Sequence, residues 1–429
     1  MNLKNIYFSW LIYWGKMKGL LNGIAEAIIL LASLASFFVL IYQFGFVQTP
    51  DSVHILERSR PFILLAFFTG ITLRYVVRFQ EIIQEKMLYL DISILLFAVL
   101  SSKIFFKDAI AHSLPYLSFL TKPLFVYVLL LLLSTIHLSR QTFTLMQTRI
   151  KPSLLFLLSF VFVILVGAGL LSLPNATTHR IPFIDALFIS TTSVCVTGLT
   201  TVDVATCFTH IGHIIILILI QIGGIGVMTF TSFFALSFMG KSSFTSKMML
   251  KDMLNEDRTG GLFRVILNIL FVTLFIEGIG AYFIYMDVRG SLPGGTQQEL
   301  FYAMFHAVSA FCNAGISTLS GNMYDPLVAD KYNLHFWIAM LIIFGGLGFP
   351  IVFNYLKLLH HLLMNGIKIL IGKQKHYIHT PRIINVHTYI VVISTLILLI
   401  TGTAFYLFFE YDNTLGDLPL RGKLANAFL

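Results

Sequence analysis

Charge is what this sequence has least of. Only 11% of its 429 residues are Asp, Glu, Lys or Arg. A soluble domain carries about a quarter, so a water-exposed globular fold is excluded. Cysteine is also scarce. Cys195, Cys207 and Cys312 give neither a disulfide framework nor a metal-ligand spacing. No Walker loop, paired-aspartate motif or His-rich catalytic cluster occurs, so neither an enzyme nor a cofactor is expected. The N-terminus lacks an A-x-A-like cleavage site and is expected to be retained. Hydrophobic residues fill the space instead, at 57% of the chain with a mean hydropathy of +0.85. Many stretches reach the ~20 apolar residues that cross a bilayer. The expected class is an all-α polytopic membrane protein.

The net charge of +9 first suggests an anionic partner, but its distribution argues otherwise. The spans set out below put 19 of the 29 basic residues at one face: Lys4, Lys16, Lys18, Arg74, Arg78, Lys86, Arg140, Arg149, Lys151, Lys241, Lys247, Lys251, Arg258, Arg264, Lys357, Lys368, Lys373, Lys375 and Arg382. Such a bias orients a membrane protein with that face in the cytoplasm and needs no nucleic acid. Asp185, Asp203, Asp325, Asp330, Glu410 and Asp412 fall on the opposite face, where an acidic vestibule would concentrate cations.

Two segments can be laid on each other. Val194-Cys195-Val196-Thr197-Gly198-Leu199-Thr200 matches Phe311-Cys312-Asn313-Ala314-Gly315-Ile316-Ser317 at a spacing of 117 residues. Each follows a short apolar stretch beginning Ala-x-Phe, at Ala186 and at Ala303. Each precedes an apolar run with Gly-Gly-x-Gly, at Gly223, Gly224 and Gly226 and at Gly345, Gly346 and Gly348. A repeat on this scale sets the fold. Non-helical backbone inside a membrane is tolerated only where it is buried or lines a watery cavity. A ring of such hairpins, carbonyls inward, can replace an ion's water shell.

The chain divides accordingly. Residues 1–151 form an N-terminal region of four helices, over about 22–44, 60–78, 87–102 and 119–138. The first pore repeat is 152–240, with an outer helix at about 153–173, a re-entrant helix at about 183–193, the hairpin 194–200, and an inner helix at about 208–238 carrying a glycine break. A cytoplasmic loop, 241–262, follows. The second repeat, 263–358, has helices at about 263–286, 298–310 and 333–357. A basic cytoplasmic loop covers 359–386, with the helix before it ending near 357. Residues 387–429 begin a third repeat. Its outer helix spans about 388–409, and Ala427-Phe428-Leu429 reads as the start of a third re-entrant helix. Placing Ala427 on Ala303 puts the next hairpin glycine ten residues beyond Leu429, so the sequence is expected to be part of a longer transporter.

Ser193 to Leu199 resembles the first filter of the Trk/Ktr/HKT superfamily of potassium transporters, and Cys312 to Ser317 resembles the second. Gly345-Gly346-Leu347-Gly348-Phe349-Pro350 looks like that family's second inner helix. The resemblance covers roughly 152–429. It implies a pseudo-fourfold pore in one polypeptide, a homodimer, and a cytoplasmic nucleotide-binding regulatory subunit on the bacterial members. It implies potassium as the transported ion in a prokaryotic plasma membrane. The chain departs from the pattern in showing no third filter or fourth repeat, and in its longer N-terminal region.

The expected filter residues are Cys195, Val196, Thr197 and Gly198, with Cys312, Asn313, Ala314 and Gly315. Their chemistry would be that of the backbone: small or β-branched side chains packed behind the carbonyls, and a glycine that relaxes the dihedrals. The two Gly-Gly-x-Gly stretches are either places of close helix packing or flexible points near the pore. Glu277 lies within an apolar helix, where an acid is costly. It either handles an ion or proton, or makes a structural hydrogen bond to a neighbouring helix, the latter being favoured. Glu26 is read as structural too. Arg74 and Arg78 suit positive-inside anchoring better than voltage sensing. His360, His361, His376 and His379 lack metal-ligand spacing. Alternatives of the same fold or class are a sodium-permeable transporter and a proton-coupled small-solute permease, which would need more polar groups at mid-membrane than Glu277 supplies.

Overall fold

Apolar helices dominate because every backbone N–H and C=O in a bilayer must find its partner within the chain, and a helix does this locally. The computed structural model describes residues 3–82, 123–146, 152–239, 261–370 and 386–429. The third expected helix, at 87–102, lies outside these, as do residues 240–260 and 371–385 with His376 and His379. Among the described residues five helices are long and apolar enough to cross a membrane, and there is no strand beyond one isolated bridge, Thr177 to Phe208. The chain forms two compact units.

The first unit, Met1–Leu155 with Leu173–Asn175, holds α1 (Leu3–Gly45), α2 (Pro50–Ile82) and α3 (Pro123–Met146). Its core joins Ile29, Val39, Phe67, Ile71, Leu130 and Leu133. Within it Tyr127 donates to Gln43 at 2.6 Å and lies under the Arg60 guanidinium, 4.4 Å from the ring centroid. Arg74 pairs with Glu26 at 3.5 Å. Glu26 is thus structural, and Arg74 serves this pair in addition to any anchoring role.

The second unit comprises Phe156–Ser172 and Ala176–Leu429. It contains most of α4 (Pro152–Leu171), then α5 (Phe183–Val194), the single turn α6 (Val204–Cys207) and α7 (His210–Met239). There follow α8 (Gly261–Val288), α9 (Gly295–Phe311), α10 (Tyr332–Leu347), α11 (Phe349–Leu370), α12 (Val386–Glu410) and α13 (Leu420–Phe428). The short helices α5 and α9 lie where the two re-entrant helices were expected. Pro182 precedes α5 and has the extended dihedrals, φ −59° and ψ 144°, that open a helix. Both stop at a cysteine in the right-handed region, Cys195 and Cys312, after which the chain turns back.

Three expectations need correction. The inner helix of the first repeat, α7, runs unbroken through Gly223, Gly224 and Gly226 to Met239. Only the second inner helix breaks, between α10 and α11, at Gly348 with φ +80°. The helix expected to end near 357 continues to Leu370. Its sequence keeps an apolar stripe (Leu356, Leu359, Leu363, Ile367, Leu370) and sets Lys357, His361 and Lys368 on another face, so the helical period survives the basic residues. The last helix, expected to start at Ala427, starts at Leu420.

Candidate ion-coordinating hairpins

The two hairpins share one backbone design. Cys195 is right-handed (φ −82°), Val196 left-handed (φ 56°), Thr197 is not, and Gly198 is again left-handed (φ 83°). In the second hairpin Cys312 has φ −72°, Asn313 φ 61° and Gly315 φ 68°, with Ala314 outside the left-handed region. Residues that alternate in handedness turn successive N–H groups to one side and the carbonyls to the other. Several of the N–H groups are spent on the preceding helix. Cys195 N donates to Thr191 O at 2.8 Å and Thr197 N to Thr192 O at 2.9 Å. Cys312 N donates to Val308 O at 2.9 Å and Ala314 N to Ser309 O at 2.7 Å. Among the described residues no hydrogen bond reaches the carbonyls of Val196, Thr197, Gly198, Asn313, Ala314 or Gly315. Apart from that of Ala314, which is fully buried, these carbonyls lie on residues that are at least partly exposed.

The hairpins lie against each other. A Cβ on Gly198 would fall on the Ala314 carbonyl oxygen, and a Cβ on Gly315 would come within 3.9 Å of Gly198 Cα. Gly198 is thus required twice, by φ and by space, and Gly315 by φ. Because α5 and α9 end here, their C-terminal dipoles, each roughly half a negative charge, point at the same region. Ser309 braces the second hairpin by donating to Ile316 O at 2.7 Å. Thr192, its counterpart 117 residues earlier, is buried with an unpartnered hydroxyl oxygen.

The inner-helix glycines bring helices up to this backbone. A Cβ on Gly223 would strike the Val194 carbonyl, and one on Gly345 the Phe311 carbonyl. These are the last carbonyls of α5 and α9. Gly224 faces the Cys312 sulfur, a Cβ on Gly226 would lie 3.1 Å from Phe160, and one on Gly346 would meet nothing within 4 Å. Close packing therefore describes Gly223, Gly224, Gly226 and Gly345, and the chain bends only at Gly348.

Glu277 on α8 is 4% exposed. It accepts from Gln221 Nε2 of α7 at 3.2 Å and from the Cys312 thiol at 3.9 Å. A carboxylate bonded to two neighbours is the structural role favoured from the sequence.

The sequence reading placed Asp203 only among the acids of the outer face and did not single out His306. Asp203 caps α6 through Ala205 N at 3.0 Å and accepts from Thr206 at 3.0 Å and from Ser320 at 2.6 Å. Ser320 lies 117 residues on, at the Asp203 position of the second repeat, so the repeat offset was the signal. Partial burial raises the Asp203 pKa, but the bonds from Ser320, Ala205 and Thr206 outweigh this and hold it below the usual carboxylate value of 3.8. The tie thus stabilises the fold above that value and fails only as pH drops through the lowered one. His306 of α9 is also buried, bonded to Tyr302 O and Ser317 Oγ at 2.9 Å each. No local motif marks it.

The family model for the cation transport protein TrkH matches residues 127–415. Among curated relatives, Ktr system potassium uptake protein B of Vibrio alginolyticus is 35% identical over 280 residues, covering 64% of this chain and 56% of that protein. Potassium/sodium uptake protein NtpJ of Enterococcus hirae is 33% identical over 290 residues, covering 66% and 58%. Ktr system potassium uptake protein B of Bacillus subtilis is 35% identical over 209 residues, covering 49% and 46%. The chain spans about half the length of the curated relatives it matches.

Proposed function

The chain belongs to the TrkH family of cation transport proteins, and from that premise we propose that it forms the ion-conducting part of a potassium uptake protein in a prokaryotic cell membrane. The observation that carries this reading is the pair of hairpins with alternating handedness and unspent carbonyls. Carbonyl oxygens and helix C-termini favour a monovalent cation without fixing it as tightly as a carboxylate would. A membrane potential supplies about 2.3 kcal/mol per charge per 100 mV, which is enough for accumulation without a coupled reaction.

On this reading residues 152–240 and 263–358 are two pore repeats, and 387–429 opens a third. Residues Cys195 to Gly198 and Cys312 to Gly315 line the filter. The protein works as a homodimer bound to a cytoplasmic nucleotide-binding regulatory subunit. Sodium permeation is the second reading, favoured by the relative named as a potassium/sodium uptake protein. A proton-coupled permease is disfavoured because Glu277 is already engaged by Gln221 and Cys312.

The test is growth of a potassium-uptake-deficient bacterium in low potassium, with radioactive rubidium uptake measured alongside. The full protein restores growth and takes up rubidium. Uptake of sodium without rubidium supports the second reading, and no cation uptake from a correctly inserted protein contradicts both.

A further inference from the structure

We propose that Asn313 is a positioning residue that ties the second filter hairpin to the break in the second inner helix, so that ion occupancy and the conformation of that helix are coupled. The inference rests on the pore reading above and concerns a side chain, whereas that reading used only the backbone.

The geometry is specific to the second repeat. Asn313 holds its backbone at φ 61°, which places one of the unspent carbonyls. Its carboxamide reaches in the other direction, to α10. In the orientation that matches donors to acceptors, it donates to Ile342 O at 3.2 Å and accepts from Gly346 N at 3.2 Å. Residues 342 and 346 are the two ends of one α-helical rung, so the side chain bridges that rung. Gly348, where the helix breaks with φ +80°, is two residues further on. Gly345 allows the approach, since a Cβ there would run into the Phe311 carbonyl and the Asn313 carboxamide.

The first repeat offers a comparison, in which the counterpart of Pro350 is also missing. Its equivalent residue, Val196, has nearly the same φ of 56° but an apolar side chain that cannot bond to a helix backbone. Its inner helix, α7, runs through the matching glycines without a break. The carboxamide is thus found where the inner helix is interrupted, and is absent where it is continuous. Ile342 O and Gly346 N already face each other within α10, and the carboxamide adds a second partner to each end of that rung, two residues before the break. Bending at Gly348 strains or relaxes the rung 342–346, and the carboxamide passes that displacement to the residue carrying the filter carbonyl. A bound ion that fixes the carbonyl fixes the rung in return, because coupling between two sites is reciprocal.

The experiment is amide hydrogen exchange on the full protein in lipid nanodiscs, in potassium, sodium or choline buffer, for the unchanged protein and for Asn313→Gly and Asn313→Val. Glycine adopts positive φ without strain, and valine is what the first repeat carries, so at least one variant is expected to fold. In the unchanged protein potassium slows exchange in both α9 and residues 342–348, by roughly fivefold in the latter, the factor that one modest hydrogen bond supplies. In both variants residues 342–348 lose their potassium response at potassium concentrations raised until α9 responds, so that a weakened filter is not mistaken for lost coupling. A variant that still protects 342–348 in response to potassium overturns the coupling, as does an unchanged protein in which only α9 responds. A response to sodium in place of potassium contradicts the potassium reading and leaves the coupling standing. No ion response at α9 in any buffer sinks the pore reading, and the coupling with it.

Discussion

A left-handed backbone at a β-branched residue such as Val196 (φ 56°) costs on the order of 1–3 kcal/mol. On the proposed pore reading it is kept there because the residue places a filter carbonyl. Val196→Gly should therefore raise thermal stability, by about 1 kcal/mol if the unfolded-state entropy of glycine offsets part of the gain, while loosening discrimination between potassium and sodium. Thermal unfolding followed with ion flux on the same preparation checks both; a variant that is less stable and equally selective would refute the strain argument. The glycines of the hairpins were legible in the sequence because they recur with matching flanks 117 residues apart. The second positive-φ position in each hairpin, Val196 and Asn313, was not. Nothing in the residue type announces it, since valine and asparagine share neither size nor polarity. The Asp203–Ser320 tie was hidden for a different reason: two unlike residues meet only once the repeats are folded against each other.

At the scale of elements, a single methyl group separates a glycine that packs from one that does not. A Cβ on Gly345 would overlap the Phe311 carbonyl oxygen, a backbone atom that cannot swing aside, whereas one on Gly346 would meet nothing within 4 Å. Gly345→Ala should cost several kcal/mol, in the manner of an overpacked core, or fail to yield folded protein. Gly346→Ala should stay within about 0.5 kcal/mol of the unchanged protein. Detergent-solubilised yield and melting temperature measure the contrast, and equal behaviour of the two variants would remove the close-approach role from the first of them. The two short helices before the hairpins were legible to within a few residues, whereas the helices expected at 22–44 and 60–78 run longer, over Leu3–Gly45 and Pro50–Ile82. The re-entrant helix expected at 183–193 is Phe183–Val194, and that expected at 298–310 is Gly295–Phe311. The glycine spacing alone does not tell the two stretches apart. It gives a continuous helix in α7 and a break after α10, and the difference legible in the sequence is Pro350, which removes a ladder N–H two residues after Gly348 where the first stretch has Met228.

For the whole molecule, sparse and one-sided charge is enough to set the membrane class. Of the 29 basic residues, 19 belong to one face on the expected spans, and the five long apolar helices among the described residues fit that class. Cysteine labelling at positions beside Asp325 and Asp412 should succeed from outside intact cells, and labelling beside Lys247 and Lys375 only after permeabilisation. Reaction at Lys375 from outside would break the repeat scheme. The ion itself was never legible in composition. It rests on the carbonyls of two hairpins and on family membership.

That claim is tested most directly by reversal potentials of the full protein in mixed potassium and sodium, compared with those of Gly198→Ser and Gly315→Ser. Serine brings a Cβ onto the Ala314 carbonyl in the first case and a strained φ in both. The account predicts a potassium-selective unchanged protein and a fall in the potassium-to-sodium permeability ratio of roughly tenfold in each variant, equivalent to about 1.4 kcal/mol. Reversal potentials that stay at the unchanged value in both variants would contradict it, because ions would then be chosen somewhere other than at these hairpins.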